Sequence, residues 1–337
     1  MDTKIILNKL VDGNNLSKRE SSFLLERIIA GELNTNQIAA VLVSLRSKGE
    51  TTSEILGFIE TMRKHMVKVN IPGALDIVGT GGDNCGTFNI STAASFVVTG
   101  LGIPIAKHGN KAASSKCGSA DVLKALGVNI NLTPKQAENV FKKVGMVFLF
   151  APLYHPAMKL IAPIRKELGL RTIFNFLGPF LNPSSTKKQL LGVPNAKIAE
   201  KLAKVATKLK YIHLLLITSV DGMDEITTTA KTEIFEIKGN KLNSYTISPK
   251  QFGMKKSTKN DLRGGNPSQN ATIIQNILKG EKGPKRDVVV LNSAAALYLA
   301  GKAKDIKSGI SLAEKSINEG LAMKVLENLI RESKIYA

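Results

Sequence analysis

Four short segments of this chain combine the residue types that handle anions and metals. The first is Asp76-Ile77-Val78-Gly79-Thr80-Gly81-Gly82-Asp83, continued by Asn89-Ile90-Ser91-Thr92. A short apolar run ending in three glycines within four residues reads as a buried strand breaking into a loop, with a helix opening at Ser91. Glycines let main-chain N–H groups approach an oxyanion, and a helix N-terminus adds unsatisfied donors and partial positive charge. The spacing is neither the dinucleotide fingerprint nor the P-loop, and a tight surface turn has a similar composition. By itself the loop points to an anion, phosphate above all.

The second segment, Lys107-His108-Gly109-Asn110, follows a predicted strand at 103–106. In a parallel sheet it emerges at the same carboxyl edge as the glycine loop, where such folds bind ligands. Lys107 offers a point charge to phosphate, Asn110 amide hydrogen bonds, and His108 a group that titrates near neutrality. The third, Ser114-Ser115-Lys116-Cys117-Gly118-Ser119-Ala120-Asp121, suits either a loop closing over a second anionic group or a plain helix cap. The fourth, Asp221-Gly222-Met223-Asp224-Glu225, follows the apolar run at 213–218. Paired carboxylates at a strand end are hard oxygen ligands suited to Mg²⁺, which completes its shell with substrate phosphates and water. Arg165 lies in a helical pattern at 157–168, where its guanidinium either clamps a planar carboxylate or simply faces solvent.

The elements that must position these groups fall into two patterns. Residues 1–65 read as amphipathic helices throughout. Ser17-Lys18-Arg19-Glu20 is a capping box, Asn34 or Thr35 caps a second helix that Gly49 ends, and a third runs over 51–66. A helical domain over 1–68 is expected, offering a face for self-association. Pro72-Gly73 reads as a linker. Beyond it, short apolar runs alternate with helices, which predicts an α/β domain over 73–337. Its strands are placed at 75–78, 103–106, 146–150, 190–193 and 213–218, with a hairpin at 233–247.

The chain has 337 residues, 47 Lys and Arg against 27 Asp and Glu, and a formal net charge of +20. Such an excess attracts phosphorylated metabolites, nucleic acid or anionic surfaces alike. The cations are spread along the chain, and with no Trp and 5 Tyr, stacking platforms for single-stranded nucleic acid are not expected. No run reaches the length of a membrane span and the N-terminus lacks a signal-peptide pattern, so a cytoplasmic location and reduced Cys85 and Cys117 are expected.

Together, Gly79-Thr80-Gly81-Gly82-Asp83, Asn89-Ile90-Ser91-Thr92, Lys107-His108-Gly109-Asn110, Gly118-Ser119-Ala120-Asp121 and Asp224-Glu225 resemble the anthranilate phosphoribosyltransferase family. His155-Pro156-Ala157-Met158, Arg171-Thr172-Ile173-Phe174-Asn175 and Leu177-Gly178-Pro179 look like the same family. The resemblance implies a nucleoside phosphorylase-like fold. In it, a small helical N-terminal domain, joined by helices from about 157–185, stands beside a large α/β domain with a mostly parallel central sheet. It implies a homodimer formed through the helical domain. The implied reaction joins anthranilate to 5-phosphoribosyl 1-pyrophosphate in tryptophan biosynthesis.

By the same resemblance, Gly79, Gly82, Asp83, Thr87, Asn89, Ile90, Ser91, Thr92, Lys107, His108, Gly109, Asn110, Lys111, Ala112, Ala113, Ser114, Ser115 and Ser119 contact the phosphoribosyl donor. Ser91, Asp224 and Glu225 hold Mg²⁺, with two ions expected. Gly79, Asn110, His155 and Arg165 serve anthranilate, and His108, Asn110 and Arg165 are the candidate catalytic groups. Lys116 and Cys117 depart from the family's arginine and serine. With Cys85 in the glycine loop, they suggest two thiols flanking one site and a sensitivity to oxidants. Two rival readings are a pyrimidine nucleoside phosphorylase and a basic, catalytically inactive nucleic-acid binder.

Overall fold

A computed structural model describes residues 1–112 and 116–337. The chain divides into two compact units, Met1–Val67 with Pro152–Pro183, and Lys68–Ala151 with Ser184–Ala337.

The first unit is helical. Its N-terminal part comprises Thr3–Val11, Lys18–Ile29, Thr35–Lys48 and Thr52–His65. Capping boxes at Ser17, Asn34 and Thr51 satisfy otherwise orphaned N–H groups and fix where the last three helices begin. Gly57 lets two helices cross closely, since a Cβ there would lie 2.6 Å from the Lys18 carbonyl oxygen. Glu54, fully buried, pairs with Lys48 at 2.7 Å and accepts the Leu16 N–H at 2.8 Å. The later segment is tied in by an Arg63 Nε bond to the Phe180 carbonyl at 2.9 Å and by tilted packing of Phe58 on Phe174. That segment spans Pro152–Pro183 and carries the helix Met158–Leu168.

The second unit is built on one seven-stranded sheet. Its strands are β1 (Leu75–Gly79), β2 (Ile105–Gly109), β3 (Met146–Phe150), β4 (Lys188–Gly192), β5 (His213–Ser219), β6 (Thr232–Lys238) and β7 (Lys241–Ile247). The spatial order is β3-β2-β1-β4-β5-β6-β7. β1 to β5 pair in parallel, whereas β6 and β7 form an antiparallel hairpin on the β5 side. The parallel strands are almost wholly buried, the pattern expected of a sheet with helices on its faces. Helices Ile90–Gly100 and Pro284–Ala300 are apolar on nearly all sides because they pack within this unit's core.

One boundary differs from expectation in an informative way. The second strand runs over Ile105–Gly109 and not 103–106, because Lys107 and His108 are strand residues in full register with Phe148 and Leu149 of β3. Charge ended the apolar run in the sequence but not in the sheet. Helix Ser119–Ala125 is capped at Gly118, with Asp121 accepting the Gly118 N–H at 2.9 Å, so Ser119 is its first residue.

Candidate active site

The order of the parallel strands reverses between β1 and β4, and such a switch point leaves a crevice at the carboxyl ends of the strands. Both strands end there in glycine. Gly79 and Gly192 are register partners, and the Thr80 N–H donates to the Gly192 carbonyl at 2.9 Å. A Cβ on Gly79 would collide with the Asp224 carboxylate, and one on Gly192 with the Asp224 main chain. Two missing side chains thus make the seat on which Asp224 rests.

The acidic pair is then held by main-chain donors. The Gly81 N–H donates to Asp224 Oδ2 at 2.8 Å, and the Ser91 N–H, in the first turn of helix Ile90–Gly100, donates to Glu225 Oε1 at 3.1 Å. Desolvation raises the pKa of the Asp224 carboxyl, with the neighbouring Asp83 charge acting in the same direction. Desolvation, then the Asp224 charge, raises that of Glu225, while Lys107 opposes the shift.

Lys107, which the sequence offers to phosphate as a point charge, is a buried side chain. At 1% exposure its ammonium donates to the Ile77 carbonyl and, at 3.3 Å, to Ser91 Oγ. Both faces of β2 are covered, so this side chain lies inside the fold, where burial lowers its pKa and Asp76, Glu225 and Asp224 counter that shift. His108, also buried, carries a main-chain N–H that reaches Asp76 Oδ1 at 3.3 Å.

This donor set fits Mg²⁺. Two desolvated carboxylates and the Ser91 hydroxyl converge at a helix N-terminus, and Asp83 Oδ2 is buried without a hydrogen-bond partner among the described residues. An ion bound by one or two carboxylates and completed by substrate phosphates needs no all-protein cage. None built from three or more His, Cys, Asp or Glu occurs among the described residues.

Around the pair, the phosphate-binding candidates sit on interlocked loops. Thr87 bridges to Arg263, and the Gly264 N–H donates to the Gly86 carbonyl at 2.9 Å. Asn89 Oδ1 accepts from Asn270 Nδ2 at 3.0 Å and from Cys117 Sγ at 3.4 Å. Asn110 stands at the end of β2, where its carbonyl accepts the Ala120 N–H and the Ser119 hydroxyl, and its Oδ1 accepts the Lys111 N–H. Asp121 Oδ2 accepts both the Ala112 and the Gly118 N–H at 2.9 Å, drawing the two arms of that loop together. Ala113, Ser114 and Ser115 lie outside the described residues.

Arg165 and His155 belong to the helical unit. Arg165 is half-buried on helix Met158–Leu168, with its guanidinium 5.8 Å from the Phe174 ring centroid and its Nε without a hydrogen-bond partner among the described residues. Burial lowers its pKa. His155 is 5% exposed, and burial brings its pKa down to about 4, so its imidazole is neutral at pH 7.

The expected oxidant sensitivity finds no support. Burial first, and then acidic neighbours, push both Cys85 and Cys117 up to about 11. Only on the order of one thiol in ten thousand is a nucleophilic thiolate at pH 7. Sequence reasoning missed Asp76, a fully buried acid inside an apolar strand, which accepts from Gln189 Nε2. It also missed the amides of Asn270 and Asn292, which carry no local motif.

Residues 72–323 match the glycosyl transferase family a/b domain, and residues 4–66 the helical bundle domain of that family. The anthranilate phosphoribosyltransferase of Methanobrevibacter smithii is 48% identical over 323 residues, 96% of each chain. A crystal structure of the Thermus thermophilus anthranilate phosphoribosyltransferase superposes with a TM-score of 0.91 at 36% identity, covering 98% of this chain and 99% of that one. The Saccharomyces cerevisiae enzyme in complex with PRPP and Mg gives 0.91 at 29% identity, covering 98% of each chain. With 4-fluoroanthranilate it gives 0.90 at 28%, covering 98% and 97%. Paired glycines, a buried acid pair and a helix N-terminus at one switch point, on a chain so matched from end to end, place this protein in the anthranilate phosphoribosyltransferase family.

Proposed function

We propose that this chain transfers the 5-phosphoribosyl group of 5-phosphoribosyl 1-pyrophosphate to the amine of anthranilate. The products are N-(5-phosphoribosyl)anthranilate and pyrophosphate, in tryptophan biosynthesis. The observation that carries this is the acidic pair Asp224 and Glu225, seated over the Gly79–Gly192 pairing and bonded to the glycine loop and the helix N-terminus. Such a site suits a leaving group that is both a diphosphate and a metal ligand. The full-length relatives set aside the nucleoside phosphorylase reading.

In the reaction the bond from ribose C1 to the pyrophosphate oxygen breaks with its electron pair staying on pyrophosphate, and the anthranilate nitrogen bonds to C1 and releases one of its two protons. Negative charge grows on the departing oxygen, so preorganised donors lower the barrier most where that oxygen lies. The Gly79–Asp83 loop and residues 89–92 at the helix N-terminus supply main-chain dipoles for the diphosphate. Lys107, bonded to the Ile77 carbonyl, opposes the upward shift that burial and Asp224 impose on Glu225. Mg²⁺, held by Ser91, Asp224 and Glu225, would neutralise the diphosphate; two ions are expected. Anthranilate's amine is neutral at pH 7 and already nucleophilic, so positioning counts for more than a base.

We assign its carboxylate to Arg165, whose ring-backed guanidinium has an Nε without a hydrogen-bond partner among the described residues and suits a planar anion, with Gly79, Asn110 and His155 as further contacts. We also propose a homodimer in the cytoplasm. The helical unit exposes Ile5, Val11, Leu160 and Leu170, and carries a groove of about 420 Å³ lined by Ile28, Leu33, Ile38, Leu160 and Pro163. No helix among the described residues is long and apolar enough to cross a membrane.

Anthranilate fluorescence, followed with donor and Mg²⁺, tests the assignment. Arg165→Ala is expected to raise the KM for anthranilate, and Asp224→Asn to abolish metal-dependent turnover. Wild-type kinetics in both would show that the site is misassigned.

A further inference from the structure

We propose that Asn292 is a positioning residue for the acidic pair: it sets the main chain that carries Glu225, and through it the site's grip on Mg²⁺ and diphosphate. The inference rests on the functional reading above. Asn292 lies on helix Pro284–Ala300 with no exposed surface. Its Oδ1 accepts the Ile226 N–H at 3.0 Å, and its Nδ2 donates to the Ile226 carbonyl at 2.7 Å and to the Val288 carbonyl at 2.8 Å. A side-chain amide that both donates to and accepts from one residue acts as a strand neighbour would.

The Ile226 N–H belongs to the peptide unit that begins at the Glu225 carbonyl. Because that unit is planar, fixing its N–H fixes the plane from which the Glu225 side chain departs. Ile226 and Met223 are both fully buried, which plugs the segment on either side of the pair. The carboxylates are tied at their tips by Gly81 and Ser91, and their main chain is tied at the root by Asn292. Few other side chains serve here. Leucine fills the volume but leaves two buried main-chain groups unpaired, and aspartate accepts without donating while adding a further acid to a segment already acidic.

The test compares Asn292→Ala and Asn292→Ser with Ser293→Ala. Ser293 is the next residue on the same helix, and its buried hydroxyl has no hydrogen-bond partner among the described residues. The readouts are the Mg²⁺ midpoint of turnover, calorimetric binding of Mg²⁺ and 5-phosphoribosyl 1-pyrophosphate without anthranilate, and the KM for anthranilate. Loss of an outer support weakens metal binding about 10- to 100-fold, and that is expected in the first two readouts for both Asn292 variants. The KM for anthranilate stays within about twofold, since uniform binding of that substrate is untouched.

Ser293→Ala should track the wild type. Folded Asn292 variants with wild-type Mg²⁺ dependence would overturn the proposal, as would an equal loss in Ser293→Ala. If Asn292→Ala fails to fold, Asn292→Ser decides by the same titration. A wild type without turnover on anthranilate would instead overturn the functional reading, and the calorimetric arm would still judge Asn292.

Discussion

Gly192→Ala is the sharpest perturbation of the acid seat, because the added methyl meets main chain and not the end of a flexible side chain. An alanine Cβ built at Gly192 lies 2.5 Å from the Asp224 carbonyl carbon, and it also meets the carbonyl oxygen. Real Cβ contacts do not fall below about 3.0 Å, so Asp224 must retreat by at least about half an ångström for the carbon alone. Overpacking of this kind costs about 1–3 kcal/mol. In a unit of this size that lowers Tm by roughly 2–12 °C.

The functional cost is larger, because reacting groups displaced by about 1 Å lose on the order of 100-fold in rate. Gly79→Ala, which meets only the Asp224 carboxylate end, should cost less stability but comparable activity, since that oxygen is pinned by the Gly81 N–H. Steady-state anthranilate fluorescence with a Mg²⁺ titration, beside a thermal melt, measures both. A Gly192→Ala enzyme with kcat/KM within about threefold of wild type would refute the claim that paired glycines seat the acidic residue.

Lys107→Met removes a buried ammonium facing three carboxylates. Breaking such an arrangement is expected to cost about 3–5 kcal/mol, and a denaturant midpoint within about 1 kcal/mol of wild type would contradict the buried counter-charge role. His155 titrates at about 4 when folded, below the usual histidine value of 6.5. The unfolded chain therefore binds more protons between those values, so stability is complete above pH 6.5 and falls as pH drops toward 4. His155→Gln should flatten that limb in denaturant midpoints at pH 4, 5 and 6.5, and an unchanged slope would show another group responsible. Peroxide at pH 7 should leave wild-type turnover intact because both thiols are held protonated; inactivation spared in a Cys85→Ser/Cys117→Ser double variant would show otherwise.

Local signals were legible where the partner lies within a few residues. The capping box at Ser17 and the β3 strand at 146–150 stand in the structure where the sequence placed them, and of Asn34 and Thr35 it is Asn34 that caps its helix. The burial of Lys107 was not legible because nothing in its neighbourhood reveals the Ile77 carbonyl, 30 positions upstream, that receives its ammonium. The same holds for Asn292 and Ile226, 66 positions apart. In the apolar run Val288-Val289-Val290-Leu291-Asn292 an amide reads as an interruption, and only the fold shows that it completes a segment elsewhere. The glycines announced a tight approach, but not that an acid would fill the space they leave.

The β6–β7 hairpin closes one flank of the sheet, and β7 shows mostly polar, exposed residues to solvent. Because β6 runs against β5, the Gly239-Asn240 turn lies at the amino ends of the parallel strands, and β7 stands three strands from β4. Guest sequences spliced into that turn, whether affinity tags, fluorophores or tethers for immobilised biocatalysts, would hang from the far end of the scaffold and leave turnover undisturbed.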